Sequence, residues 1–198
     1  MARGERKNQK QRTRDALVQA AVRLLRSGAT PTVSEVAREA LVSPATAYRY
    51  FPSARSLWTA VLSAIGEPAV EEVFAGLDGA DAEARVAAMI ERVGGRMLEN
   101  ETFWRGAHAM PGGGRLPVRT GQRMRWIHAA LEPVQREIGA RGVQRLSNAL
   151  ALIVGSDAML TLRDVCGLSA EDAREVSVWA GRALVRAAVA DKAKGKRR

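Results

Sequence analysis

Residues 32–57 read TVSEVAREALVSPATAYRYFPSARSL. Thr32 followed three residues later by Glu35 is a capping box, so a helix is predicted from Val33 to about Ala40. Ser43-Pro44 starts the next one, with serine as cap and proline at the first helical position, and Phe51-Pro52 ends it. Only Leu41-Val42-Ser43 separates the two. Val33, Val36, Ala37 and Ala40 on the first helix, with Ala47 and Phe51 on the second, would pack the pair against a preceding helix. This spacing fits a helix-turn-helix, whose second helix enters the DNA major groove. A helix lying in a groove must be narrow and expose donors. Pro44, Ala45, Thr46 and Ala47 are small, while Thr46, Tyr48, Arg49 and Tyr50 bring hydroxyls and a guanidinium. Both tyrosines of the chain lie here. Positions two apart do not share a helical face, so at least one tyrosine should point outward.

Outward from this stretch, apolar residues keep recurring at spacings of three and four, and no strand or hairpin pattern survives. The predicted fold class is all-α. The preceding helix runs from about Gln11 to Arg26, with Leu17, Ala20, Ala21, Leu24 and Leu25 on one side and Ser27-Gly28 as its stop. A helix carrying Leu57, Val61 and Ile65 follows Ser53. Further helices are expected at about 81–100, 102–110 and 117–138, the last interrupted by Pro133. A glycine-rich loop at 111–114 lies between them. Two more are expected at about 143–165 and 170–190, with Ser169 as N-cap. The expected organisation is a basic N-terminal arm at 1–10 and a DNA-binding domain at 11–66, with its helix-turn-helix at about 33–52. A helical ligand-binding and dimerisation domain at 67–190 and a basic tail at 191–198 complete it.

The chain of 198 residues carries a formal charge of +10. Residues 1–60 hold 11 Lys/Arg against 4 Asp/Glu, residues 61–190 hold 15 against 16, and residues 191–198 hold 5 against 1. A near-neutral body with basic ends points to a polyanion-binding head, while the short tail reads rather as a solvated loose end. No apolar run is long enough for a membrane span and no signal peptide is seen, so a cytoplasmic protein is expected. One cysteine, Cys166, excludes an internal disulfide and a Cys-cluster metal site.

Residues 12–62 resemble the DNA-binding head of the TetR family of bacterial transcriptional regulators. The resemblance rests on TRDALVQAAVRLL, TVSEVAREA and VSPATAYRYFPSARSLW, and beyond them the chain matches only in being helical and of suitable length. It implies an all-α homodimer whose small-molecule effector releases the head from double-stranded operator DNA. By matching position it implies that Ser43, Pro44, Ala45, Thr46, Tyr48, Arg49 and Tyr50 face DNA. Tyr48 would reach a phosphate, and Ala45, Thr46 and Arg49 would lie nearest base edges. Val33 and Ser34 would sit against the backbone. Two positions depart from the family pattern. The turn residue that is usually glycine is Leu41, at a site that often requires positive φ. The usual phosphate-contacting lysine falls at Ala54, which leaves Arg55 as the nearest substitute.

The resemblance also implies an effector pocket among the middle helices. Its candidates are Met89, Val93, Met97, Phe103, Trp104, His108, Met124, Trp126, Ile127 and His128. Methionine and tryptophan adapt to apolar or amphipathic ligands, yet the same stripe at helical spacing would equally fill a core. His108 and His128 have no second ligand at useful spacing, so no metal is expected, and no cofactor motif is found. Broad apolar faces on the last two helices suggest a self-complementary dimer bundle. It would hold two recognition helices roughly 34–36 Å apart, one turn of DNA. An enzyme is not expected: Gly155-Ser156-Asp157 lacks the second glycine and the strand of a nucleophile elbow, and Gly112-Gly113-Gly114-Arg115 is no phosphate loop. A constitutive architectural DNA binder without an effector is the rival reading.

Overall fold

Helices form wherever the apolar period is three to four, and the computed structural model describes them over residues 3–65, 67–108 and 121–195. In chain order they are α1 (Arg3–Arg26), α2 (Val33–Glu39), α3 (Pro44–Tyr50), α4 (Ala54–Ile65), α5 (Val70–Phe74) and α6 (Ala82–Glu99). Then follow α7 (Glu101–His108), α8 (Gln122–Leu131), α9 (Gln135–Ile153), α10 (Ser156–Asp164) and α11 (Ala170–Gly195). No strand occurs among the described residues. The helices group into two compact units, one of α1–α4 with α7, the other of α5, α6 and α8–α11.

In the first unit, Leu17, Ala21 and Leu25 of α1 are buried together with Val36 and Ala37 of α2, Ala47 of α3, and Leu57, Trp58 and Val61 of α4. Both short helices are held by their caps. The Glu35 amide donates to Thr32 Oγ1 at 3.3 Å, and the Thr32 amide donates back to Glu35 Oε2 at 2.7 Å. Those bonds from the Thr32 amide and hydroxyl hold the Glu35 carboxyl below the usual carboxylate value. The contribution is complete at neutral pH and is lost as the pH falls through the lowered value. The Thr46 amide donates to Ser43 Oγ at 3.2 Å, with Pro44 at the first position.

The turn between α2 and α3 closes as a Schellman motif: the Val42 amide donates to the Ala37 carbonyl and the Leu41 amide to the Arg38 carbonyl. The motif puts Leu41 at φ 57, the one non-glycine with positive φ among the described residues. Its side chain is 93% exposed, so no packing offsets the strain. Leu41→Gly is therefore expected to stabilise the first unit by about 1 kcal/mol. Relief of about 1–2 kcal/mol of left-handed strain outweighs the extra unfolded-state entropy of glycine. A thermal melt should show a midpoint several degrees higher; a clear drop would mean that the leucine is not strained.

The second unit departs from the expected helices at defined points. Pro133 sits in a 3-10 turn at Glu132–Val134, which separates α8 from α9. Gly139, at φ 71 and ψ 171, bends α9 near its start. The helix expected over 143–165 is two helices, because Gly155 adopts φ 130 and ψ 175 between Val154 and Ser156. α5 was not expected; Ala69, at its start, makes no side-chain capping bond. α1 begins at Arg3 rather than near Gln11, since no proline interrupts the stretch between them. The loop expected at 111–114 and the start expected at 117 lie outside the described residues. α11 packs along α6 with Gly181 at the crossing, where a Cβ would come within 2.6 Å of Ile90 Cδ1.

Candidate nucleic-acid interface

α3 buries Ala47, and its C-cap Phe51 is buried too. Ser43, Pro44, Ala45, Tyr48 and Arg49 are left exposed, with Thr46 and Tyr50 half-buried. Of the side chains expected at DNA, those of α3 and its cap thus lie outside the core. Two hydroxyl pairs mark it. Ser43 Oγ and Thr46 Oγ1 lie 2.9 Å apart at the start of α3. Ser34 Oγ, at the start of α2, lies 3.5 Å from Tyr48 Oη. The second pair brings one donor from each helix to one spot, the arrangement that two hydroxyls need to share a phosphate oxygen. The Arg49 guanidinium stands 5.7 Å from the Tyr50 ring centre, within cation–π range. Val33 is buried in the first unit, so its side chain serves packing and only its backbone can lie against a ligand. Ala54 and Arg55 are both exposed at the start of α4, which keeps Arg55 available as the cation missing at Ala54.

The effector candidates do not come together in the same way. Phe103, Trp104 and His108 lie on α7, in the first unit. The Phe103 ring is buried 6.3 Å from Trp58 and edge-on to Trp104 at 5.0 Å. In the second unit Met89, Val93, Trp126 and Ile127 are core residues. Trp126 Nε1 donates to the Pro68 carbonyl at 2.9 Å. Met124 is half-buried and His128 is exposed. Of these candidates only Met97 lines a small apolar cavity in this unit, about 30 Å³, which sequence reading missed. Ile90, Ile153, Val154, Gly155 and Met159 line it as well, and Arg174 and Ser177 supply polar groups. The glycine inside the run ALIVGSDAML was the available signal. No group of three or more His, Cys, Asp or Glu able to hold a metal ion occurs among the described residues. No described helix is long and apolar enough to cross a membrane.

Three comparisons bear on these surfaces. Residues 17–61, from α1 through α4, match the family described as bacterial regulatory proteins, tetR family. Among solved structures, the chain is similar to the crystal structure of a TetR transcriptional regulator from Rhodococcus sp. RHA1. That likeness has a TM-score of 0.53 at 20% identity, covering 88% of this chain and 96% of the other. It shows a shared all-α fold. No curated protein sequence matches the chain.

Proposed function

We propose, from membership of the TetR family of bacterial transcriptional regulators, that this chain is a homodimeric repressor which leaves its operator when a small apolar or amphipathic molecule binds. The observation that carries the reading is the exposed surface of α3, where Arg49 and the Ser43–Thr46 hydroxyl pair lie and where Tyr48 meets Ser34 of α2. In this reading Tyr48 and Ser34 hold a phosphate. Ala45, Thr46 and Arg49 face base edges, and Arg55 takes a flanking phosphate.

The dimer is supported by side chains that a lone chain has no reason to expose. Leu152 on α9 is 79% exposed and Trp179 on α11 is 68% exposed, with Val176 on the same helix and Val165 just after α10. Apolar surface of this kind on the last helices suits a self-complementary interface. The effector site is assigned to the cavity beside Met97, Gly155 and Met159. At about 30 Å³ it is far below the roughly 300 Å³ or more that a small-molecule site occupies, so binding must widen it. A molecule that stabilises the widened state more than the DNA-competent state shifts the population away from DNA.

The test begins with a duplex selected from a random library by the purified chain. Arg49→Ala should lower affinity for the selected duplex by about 10- to 100-fold, the worth of a bidentate base contact. It should change affinity for a scrambled duplex much less. Tyr48→Phe should weaken both duplexes alike, because a phosphate contact carries no sequence information. Sedimentation equilibrium should give twice the chain mass. If the wild-type chain binds selected and scrambled duplexes equally, it is an architectural binder and the regulator reading fails.

A further inference from the structure

We propose that the groove between α9 and the C-terminal half of α11 is a second ligand site, which takes an amphipathic anion: an alkyl chain ending in a carboxylate. The groove lies wholly within the second unit and shares no lining residue with the cavity beside Met97. It depends neither on DNA nor on the repressor reading. Its volume is about 370 Å³, inside the range of roughly 300–1,000 Å³ for small-molecule sites. The cavity beside Met97, at about 30 Å³, must widen before it can hold such a molecule.

The floor of the groove is apolar. Ile138, Leu146 and Ala149 of α9 line it together with Leu184, Ala187 and Ala188 of α11. Positions 142, 145 and 149 recur at three and four residues, and 184, 188 and 191 at four and three, so each helix gives the groove one face. Ile138 and Leu146 are buried, and the three alanines are too short to fill the space between the helices. Gly142 lets Ile138 lie against α9, since a Cβ there would come within 3.0 Å of Ile138 Cβ.

The rim is cationic. Arg141 and Arg145 on α9 and Lys192 on α11 are exposed, and Asp191 is the one acid among the lining residues. Asp191 pairs with Arg145 at 3.2 Å. Arg141 and Lys192 make no ion pair or hydrogen bond among the described residues. Lys192 also reaches across: its Nζ lies 3.9 Å from where a Cβ on Gly139 would stand, at the bend of α9. Arg141 and Arg145 are four apart on one helix, where like charges repel. Two positive charges over an apolar floor therefore lack a counterpart.

These two features select the occupant. An inorganic anion matches the charges and leaves the floor in water. A neutral hydrocarbon covers the floor and leaves the charges unmatched. A carboxylate on an alkyl chain does both: its carbons leave water, and its two oxygens accept paired bonds from the Arg141 guanidinium, with Lys192 as a second point charge.

Titration calorimetry of the full chain tests this with decanoate, decanol, decyltrimethylammonium and acetate as probes. An exposed ion pair is worth up to about a factor of five, so two cations should favour decanoate over decanol by about 5- to 25-fold. R141Q/K192Q should lower decanoate affinity by the same factor and leave the melting midpoint of the free chain unchanged. Acetate and decyltrimethylammonium should bind more weakly than decanoate. Equal affinity for decanoate and decanol, or undiminished decanoate binding by R141Q/K192Q, overturns the proposal. If R174Q abolishes binding and R141Q/K192Q does not, decanoate occupies the cavity beside Met97 and the groove is not its site. If wild type binds no decanoate and R141Q/K192Q changes the mass in sedimentation equilibrium, a second copy covers the groove, and the proposal fails as well. Failure of the regulator reading shows separately, in the comparison of selected and scrambled duplexes.

Discussion

Phe103→Ala is expected to destabilise the first unit by about 3–5 kcal/mol, the range for truncating a buried aromatic. Phe103 is 1% exposed, and its ring meets Trp58 of α4 at 6.3 Å and Trp104 at 5.0 Å. Its helix is seated closely in the same unit: a Cβ at Gly106 would come within 3.1 Å of Leu25 Cδ2, and one at Gly28 within 3.7 Å of Thr102 Cγ2. The loss should therefore appear as unfolding of the DNA-binding unit. At about 4–8 °C per kcal/mol for a domain of this size, the midpoint should fall by more than 10 °C. Affinity for the selected duplex, measured cold where the fold survives, should stay close to wild type, because no residue of α7 lies on the exposed surface of α3. A shift of under about 2 °C would show that α7 is not part of this core. A loss of affinity without a loss of stability would show that Phe103 acts on DNA binding in its own right.

The contrast between α7 and the helix-turn-helix shows what a sequence can carry. The motif was legible because its signals are local. Thr32 and Glu35 close a box within four residues, and Ser43-Pro44 starts a helix on the spot, whereas the positive φ at Leu41 was implied only by the family resemblance. Membership of a tertiary unit has no local signal. Phe103, Trp104, Met89 and Trp126 all recur at helical spacing, and spacing alone does not distinguish a pocket wall from a core. The structure puts the first two in one unit and the others in the core of the second. The early start of α1 was hidden for a related reason. A run of Arg, Lys, Gln and Glu has good helix propensity but no apolar period to read. The break at Gly155 was hidden because a single glycine inside an apolar run is often tolerated in a helix.

That break supports the second large effect. Gly155→Ala is expected to destabilise the second unit by about 2–4 kcal/mol, from two separable causes. The first is backbone: φ 130 with ψ 175 is a region that residues with a Cβ reach only at a cost of about 1–3 kcal/mol. The second is a collision. A Cβ on Gly155 would lie 2.2 Å from Arg123 Nη2 and 2.5 Å from its Cζ. The guanidinium would have to withdraw from the Ala151 carbonyl, at 3.3 Å, and from Asp157, at 3.2 Å. The ion pair is partly exposed and contributes at most about 1 kcal/mol, so most of the loss should come from the backbone. Asp157→Asn separates the two, since it weakens the pair and leaves Gly155 alone; it should cost under about 1 kcal/mol. Chemical denaturation of the three proteins decides. If Gly155→Ala costs no more than Asp157→Asn, the left-handed backbone is not what separates α9 from α10. If it costs the full amount, the break at Gly155 is a fixed feature of the wall lined by Met97 and Met159.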